Sequence, residues 1–210
     1  MTRLEAALVR LDSDLRKLGC RWALVGGLAV SARARPRTTQ DVDVAVAVSG
    51  DPQAEQLIAT LRARGYEVQA VVEQTTKGRL ATVRLVPPPD VTRVPAGLGE
   101  VAGIPLVDLL FASSGIEPEI VASAEAVTIL PGLRPPVART GYLLAMKVLS
   151  EQPNRPQDLS DAMALIQVAS LADLQQAKEA IELIARRGYD RGKDLRAALA
   201  RALALRPEPG

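Results

Sequence analysis

Histidine is absent from this 210-residue sequence, cysteine occurs once, and only five residues are aromatic. Without histidine, the chain cannot build a Ser-His-Asp or Cys-His nucleophilic site, or a zinc site with histidine ligands. The single Cys20 cannot form an internal disulfide, and we expect it to be a small packing residue before the first strand. Because aromatic residues are so few, the core must consist mainly of Leu, Val, Ile and Ala, for which an apolar content of 48% is ample.

Long apolar runs are missing as well, since the sequence has no stretch of about 18 apolar residues and no signal-peptide pattern. We therefore expect a cytoplasmic protein with no membrane contact. The net charge of +2 is too small to indicate a nucleic-acid partner by itself, so any basic surface must come from local clustering. The length suits one α/β domain with a helical extension, or two small domains.

The most informative segment, residues 22–48, begins with a glycine turn. An apolar run of strand length stops at Gly26-Gly27, and the Ala-rich stretch 28–34 suits one or two helical turns. Glycine allows a tight turn that brings backbone N–H groups near a ligand, and a helix N-terminus favours anionic phosphate. Taken alone, Gly-Gly is as consistent with an ordinary strand-to-helix turn as with a phosphate site.

A second strand opens with two acidic residues, Asp41 and Asp43, separated by one valine. Side chains alternate along a strand, so both carboxylates point to the same side, with their Cα atoms roughly 6.5–7 Å apart. Like charges that close need a cation between them, and magnesium, which prefers carboxylate oxygen and keeps places for phosphate, fits best. Asp-x-Asp alone could be a solvated strand edge, but a glycine turn followed by this strand indicates a nucleotide–metal site.

This segment resembles the signature of the polymerase-beta-type nucleotidyltransferase superfamily. The signature is an apolar residue with Gly-Gly or Gly-Ser, a spacer of similar length, and two acids that alternate with apolar residues. The spacer here has thirteen residues, and the Arg-x-Thr that ends it is similar to the AbiEii-like branch, which includes abortive-infection and toxin–antitoxin nucleotidyltransferases. The residues that carry the resemblance are Val25-Gly26-Gly27, Arg37-x-Thr39 and Asp41-Val42-Asp43-Val44.

The resemblance implies a nucleotidyltransferase that moves an NMP from an NTP to an acceptor hydroxyl. Asp41 and Asp43 would hold magnesium, with two ions expected, against the triphosphate. The backbone at Gly26-Gly27 would help to neutralise the phosphates as pyrophosphate leaves, and the Arg-x-Thr pair would join the nucleotide-binding set. By the same resemblance, the acceptor could be a tRNA 3′ end, and the protein could be a toxin restrained by a partner antitoxin.

The superfamily has a third carboxylate on a later strand, and Asp108 is the natural candidate. It is the one acid in the apolar run 104–111, and a lone buried acid is costly unless it is paired or binds metal. In that role it would complete the second metal site and act as general base towards the acceptor hydroxyl. Alternatively, Asp108 caps a helix that begins at Leu109. Asp90 and Glu100 lie in Pro/Gly-rich surroundings and are poorer candidates.

Two elements in the second half also resemble the AbiEii-like branch. Lys147 lies near the end of an apolar helical run and can reach a triphosphate as a point charge. Arg155, Asp158 and Asp161 form an Arg-x-x-Asp-x-x-Asp segment, which in the branch commonly has lysine where this chain has Gln157. The two acids share a helix face, so one of them could hold Lys147 or Arg155 in place, or contact the incoming substrate. The alternative is a surface salt-bridge cluster of little energetic weight.

The predicted fold class is α/β (α+β), with a nucleotidyltransferase-like mixed β-sheet flanked by helices. This domain is predicted over residues 1–133, and a helical domain over 134–210 completes the cleft. The other predicted elements are a first helix (2–18), a helix from 51 to before 65, a β-hairpin (66–73 and 79–86), a loop (87–103), and four later helices (138–150, 157–169, 171–187 and 191–205).

Other readings of the sequence compete with this one. The glycine turn lacks the Gly-x-Gly-x-x-Gly pattern of a dinucleotide-binding domain, and the sequence has no Gly-x-x-x-x-Gly-Lys-Ser/Thr P-loop. The stronger alternative is a catalytically weak or inactive nucleotide-binding or protein-interaction module of the same fold, suggested by Gln157. Clustered carboxylates argue against that alternative, because an inactive site has no need of them.

Overall fold

A computed structural model of the chain describes residues 1–75, 77–92 and 103–205, and shows one mixed sheet with helices packed against it. The strands are β1 (Trp22–Val25), β2 (Asp41–Val46), β3 (Glu67–Gln74), β4 (Arg79–Val86), β5 (Leu106–Leu110), β6 (Glu125–Ala126) and β7 (Pro136–Val137). The helices are α1 (Arg3–Lys17), α2 (Gly26–Arg33), α3 (Asp51–Ala63), α4 (Pro89–Thr92), α5 (Glu117–Ser123), α6 (Thr140–Ser150), α7 (Pro156–Val168), α8 (Leu171–Arg186) and α9 (Leu195–Ala204).

The strand that begins with the two acids lies at the centre of the sheet, whose order is β3-β4-β5-β2-β1-β7-β6. β2 pairs with β1 in the antiparallel sense and with β5 in the parallel sense, and β4 is antiparallel to β5. This mixed sheet with flanking helices confirms the predicted fold class. A central position brings side chains from both neighbouring strands next to those of β2.

The first helix forms where the leucine spacing predicts it. Thr2 accepts a hydrogen bond from the backbone of Glu5, whose side chain bonds back to the Thr2 N–H, so a capping box starts the helix. Leu8, Leu11 and Leu15 are buried against the sheet, and Gly19, with φ of 65°, follows the helix end. Leucines repeating every three or four residues therefore give one buried face.

Asp14 is a buried acid on α1 that joins this helix to the end of α3. Its carboxylate accepts hydrogen bonds from Arg10 Nε (2.7 Å), Arg64 Nη1 (2.8 Å) and the Tyr66 hydroxyl (3.1 Å). Burial alone would raise the pKa of Asp14, but the hydrogen bonds from both arginines and the tyrosine hold the pKa below its usual value. The ionised carboxylate of Asp14 therefore helps to hold α1 against the end of α3.

Replacing Asp14 by Asn is expected to lower the free energy of unfolding by about 2 kcal/mol at pH 7, because buried donors lose their charged acceptor. A depressed folded-state pKa gives stability that is present above the unfolded pKa and is lost as pH falls through the folded pKa. Urea unfolding from pH 7 to pH 2 should therefore show the two proteins converging in acid. Asp12→Asn is the control, because its partner Arg16 is 55% exposed, and it should cost less than Asp14→Asn. A pH-independent difference would contradict the assignment.

The middle of the chain agrees with the sequence in part. The hairpin of β3 and β4 confirms the prediction for 66–86. The predicted loop 87–103 is wrong at its start, where the short helix α4 lies, while residues 93–102, with Glu100, are outside the described residues. Asp108 lies inside β5, so the alternative in which it caps a helix is wrong.

The helical second half packs on the sheet through a continuous aliphatic core. Buried side chains of the sheet, such as Val44 and Leu109, belong to the same cluster as Leu144 and Leu165 of the helices. α6 packs against both α7 and α8 and also contacts α2, the helix that follows the glycine turn. The sheet itself continues to Val137 of β7, and the division at 133/134 stays a prediction. Within the described ranges, no helix is both long enough and apolar enough to span a bilayer.

Candidate active site

A cavity of about 420 Å³ lies where the β1–α2 turn, β2, β4 and β5 face α6 and α7. The structure brings nearly all of the site residues expected from the sequence to its wall, and Asp161 lies just behind it. The expected residues that line the cavity are Gly26, Gly27, Arg37, Thr39, Asp41, Asp43, Asp108, Lys147, Arg155 and Asp158.

Strand register places the three predicted carboxylates side by side. Asp41 and Asp43 lie on the same face of β2, two residues apart. The parallel pairing of β2 with β5 sets Asp43 directly opposite Asp108, and Asp41 opposite Leu106. Since paired residues in neighbouring strands point to the same side of a sheet, all three carboxylates face the cavity.

Arg84 is a site residue that the sequence reasoning missed. It lies on β4 opposite Asp108, and donates from Nε to Oδ1 (2.8 Å) and from Nη2 to Oδ2 (2.7 Å) of that carboxylate. Its Nη2 is also 4.0 Å from Asp41 Oδ2. The available signal was a charged residue in the middle of the apolar strand 79–86. As for Asp108, a charge in such a strand is costly unless it is paired, so Arg84 could have been expected to have an acidic partner.

This donor set is chemically suited to a hard divalent cation, because carboxylate oxygens are the ligands that magnesium prefers. One cationic group, the Arg84 guanidinium, already lies between Asp108 and Asp41, so the carboxylates converge on a positive charge. With the side chains placed in this way, no three acids or other ligating residues among those described are close enough to hold a metal. Both oxygens of Asp108 are bonded to the arginine instead.

The position of Asp43 makes it the most perturbed acid of the site. Burial is the largest cause that raises its pKa, to about 6, and the negative charges of Asp108 and Asp41 act in the same direction. The positive charge of Lys147 and a hydrogen bond from the Gly27 N–H act against the increase. The carboxylate is thus crowded by like charge, and an added cation would relieve that repulsion.

The two glycines are needed because other groups of the site come close to their backbone. A Cβ at Gly26, whose φ is 63°, would lie 1.9 Å from Asp43 Oδ2. A Cβ at Gly27 would lie 2.5 Å from Arg37 Nη2 and 2.7 Å from Thr39 Oγ1. The Gly-Gly pair and the Arg-x-Thr pair are therefore parts of one packed arrangement at the start of α2.

Lys147 is held by two buried acids of the next helix. Its Nζ lies 3.0 Å from Asp158 Oδ1 and 2.8 Å from Asp161 Oδ2. Both acids are 2% exposed, so this is not a surface salt-bridge cluster. Arg37 also contacts one of these acids, since its Nη2 lies 3.0 Å from Asp161 Oδ2. The acids of α7 therefore fix two cations at the edge of the cavity.

The sequence model of the AbiEii nucleotidyl transferase toxins, from type IV toxin–antitoxin systems, matches residues 8–209. The chain belongs to this family. It is accordingly a nucleotidyltransferase, as the carboxylate strand and the glycine turn indicate. No protein of curated function matches the sequence significantly.

One solved structure shares this fold. A nucleotidyltransferase-like antigenic protein from Paracoccidioides brasiliensis is similar with a TM-score of 0.51 and 19% identity, over 96% of this chain and 93% of that chain. Weaker similarities include the nucleotidyltransferase toxin MenT4 from Mycobacterium tuberculosis (TM-score 0.38, 14% identity, 99% and 96% of the chains). Another is the lincosamide adenylyltransferase LnuA with bound lincomycin (TM-score 0.46, 14% identity, 79% and 98% of the chains). The first likeness supports the nucleotidyltransferase fold.

In this AbiEii-family chain, the glutamine that departs from the common motif keeps a structural contact. Gln157 donates from Nε2 to Asp161 Oδ1 at 2.8 Å. Arg155, which is 60% exposed, has Nε 3.2 Å from Asp158 Oδ2. The neutral side chain of Gln157 therefore still bonds to one of the two acids of this segment. The exposed guanidinium of Arg155 lies at the cavity wall.

The acids of α7 give a prediction for this enzyme. Asp161→Asn should reduce kcat/KM for transfer about tenfold, because Lys147 and Arg37 lose a shared charged acceptor and are held less well. Nucleotide titrations and steady-state kinetics would measure the change. Asp173→Asn, in the exposed capping box of α8, is the control. It should slightly lower the stability without changing the kinetics, because Asp173 lies outside the cavity. Equal kinetics in both variants would contradict a positioning role for Asp161.

Proposed function

We propose that the chain transfers an NMP from an NTP to an acceptor hydroxyl in a magnesium-dependent reaction. The observation that carries this proposal is that strand register places Asp41, Asp43 and Asp108 on one wall of a cavity that Lys147 also lines. Carboxylates for metal and a lysine for phosphate are the two requirements of phosphoryl transfer from a triphosphate.

In this proposal, Asp41 and Asp43 hold magnesium, and Asp108 completes the site for a second ion. Magnesium, when bound, would supply positive charge against the triphosphate oxygens. Asp108, which lies beside Asp43, would also accept the proton of the acceptor hydroxyl. These carboxylates lie on β2 and β5, two paired strands of the sheet, so the backbone holds them in fixed positions relative to one another. Fixed positions favour the correct alignment of the reacting groups.

The positive groups of the cavity would bind the nucleotide phosphates. Lys147 and Arg155 would approach the β- and γ-phosphates from the helical side, as Asp158 and Asp161 keep the cations in position. On the sheet side, Arg37 and Thr39 lie over the glycine turn and would contact the same substrate. We infer from this division of roles that residues 134–210 complete a cleft whose metal-binding wall belongs to residues 1–133.

The acceptor and the partner protein follow from the family rather than from a contact in this chain. We infer that a tRNA 3′ end is the acceptor and that a cognate antitoxin restrains the enzyme, in line with a family of toxins from toxin–antitoxin systems. An exposed arginine at the cavity wall, Arg191, adds positive charge there besides Arg155, which favours a polyanionic acceptor. The cytoplasmic location stays a prediction.

A transfer assay tests the proposal. The protein is incubated with magnesium and each labelled NTP in turn, with total tRNA and a cell extract as acceptors, and matched reactions contain EDTA. Magnesium-dependent label on an acceptor would support the enzyme and identify both the nucleotide and the acceptor class. Label on protein or a small molecule instead of tRNA would overturn the tRNA inference alone. Nucleotide binding without transfer would favour the inactive binding module, and the absence of both would overturn the proposal.

A further inference from the structure

Lys147 and Arg84, two of the cations that line the cavity, differ in how firmly they are held. Lys147, 13% exposed, is enclosed with the acids of α7, which are 2–3% exposed. Arg84 is 40% exposed, although its partner Asp108 is only 11% exposed. Arg84 ends in the open cavity on a long flexible side chain, so its guanidinium can leave the carboxylate without moving the sheet.

Arg84 takes the place that a metal ion would need. It bonds both oxygens of Asp108, and its positive charge lies between that carboxylate and Asp41. A guanidinium that binds a carboxylate through two parallel hydrogen bonds occupies the oxygens and repels a second cation. Asp108 is therefore a weaker ligand for a divalent ion while this pair is intact.

The pair also places a positive charge among the carboxylates when no metal is bound. Asp43 lies opposite Asp108 in the register and Asp41 lies two residues away, so three negative charges share one face. A positive charge among them offsets the repulsion. The register of β4 on β5 sets Arg84 opposite Asp108, so the compensating charge is built into the sheet.

From this geometry, and resting on the proposed metal-dependent transfer, we propose that Arg84 is a built-in counter-cation that competes with the divalent ion for Asp108. In the metal-free protein the guanidinium neutralises Asp108. When a divalent ion binds between Asp41 and Asp43, Asp108 can join it only after the guanidinium has moved away. Arg84 thus weakens the binding of metal by the free enzyme and is a positioning residue for the third carboxylate.

Manganese binding to the nucleotide-free protein tests this idea without any measurement of activity. The free Mn²⁺ signal in electron paramagnetic resonance gives the Kd of the wild type and of Arg84→Met, a substitution that keeps much of the side-chain volume but removes the charge. We expect Mn²⁺ to bind the variant about tenfold more tightly, because a competing charge has been removed. Arg62→Met, on the exposed surface of α3, removes the same charge at a distance and should leave the Kd unchanged.

A second substitution separates competition for Asp108 from a general change of charge. Asp108→Asn in the wild type should change the Mn²⁺ Kd less than twofold, since that carboxylate is already bonded to Arg84. In the Arg84→Met background, Asp108→Asn should abolish the tenfold gain. A gain that survives this substitution, or an Arg84→Met Kd equal to that of the wild type, would overturn the proposal.

The failure of this inference and the failure of the proposed function have different signatures. If Arg84 has no role, Mn²⁺ binds the wild type and Arg84→Met with the same Kd, and the binding is lost in Asp41→Asn. Absence of Mn²⁺ binding in both the wild type and Arg84→Met would instead overturn the metal-dependent function and, with it, this inference. Circular dichroism spectra that match the wild type would establish that each variant is folded.

Discussion

Asp43→Asn is expected to reduce nucleotidyl transfer about 10³-fold and, at the same time, to stabilise the metal-free protein. The loss of activity, about 4 kcal/mol of transition-state stabilisation, follows because one of the two acids proposed to hold magnesium becomes a neutral amide. The gain in stability follows because Asp43 is crowded by Asp108 and Asp41, and its replacement removes a repelled charge.

The stability change should depend on pH with a defined sign. The folded-state pKa of Asp43 is about 6, above the value of 3.8 for an unperturbed Asp. A raised pKa gives stability that is fully present below the unfolded pKa and is lost as pH rises through the folded pKa. The ionised carboxylate therefore destabilises the metal-free protein at pH 7.5, and Asp43→Asn should recover about 1–2 kcal/mol there, but almost nothing at pH 4.

Thermal unfolding in EDTA at pH 4 and pH 7.5, together with a transfer assay in magnesium, measures both effects. Glu55→Gln, which neutralises an exposed acid of α3, is the matched control and should change neither quantity. Magnesium should narrow the stability gap at pH 7.5, because the wild type gains a ligand that the variant binds poorly. Retained transfer in Asp43→Asn would remove Asp43 from the catalytic set. A Tm difference between the variant and the wild type that is the same at pH 4 and pH 7.5 would contradict the crowding of negative charge around Asp43.

The parts of the site that the sequence predicts are those set by local periodicity. Alternation along a strand places Asp41 and Asp43 on one face, and a separation of three residues places Asp158 and Asp161 on one helix face, whatever the rest of the chain does. The same local rules locate the leucine face of α1 and the hairpin of β3 and β4. Short elements carry no such signal, so the two-residue strands β6 and β7 and the helix α5 were missed.

The parts that the sequence did not reveal depend on which strands and helices become neighbours. Arg84 meets Asp108 because β4 and β5 pair in one register, and a shift by one residue would point the arginine to the other face. The contact between Arg37 and Asp161, which the sequence did not suggest, is likewise set by how α2 and the segment after it pack on α7. Pairings between distant segments are decided by the whole fold, which a local pattern does not contain.

Gly26→Ala is expected to lower the free energy of unfolding by about 4 kcal/mol and to abolish transfer. Two effects add at this position. The backbone φ of 63° lies in the left-handed region, where a side chain costs roughly 1–2 kcal/mol. The new Cβ would also lie 1.9 Å from Asp43 Oδ2 and 2.7 Å from Asp43 Cβ, so the whole carboxylate side chain would have to move.

Another glycine of the chain isolates the first effect. Gly19 has nearly the same φ, 65°, but a Cβ there would meet nothing within 4 Å. Gly19→Ala should therefore show the backbone cost alone, with transfer unchanged. Urea unfolding and the transfer assay on both variants give the cost of displacing Asp43 by difference. If Gly26→Ala were no worse than Gly19→Ala, the close packing of the glycine turn against the carboxylate strand would not be what makes this glycine necessary.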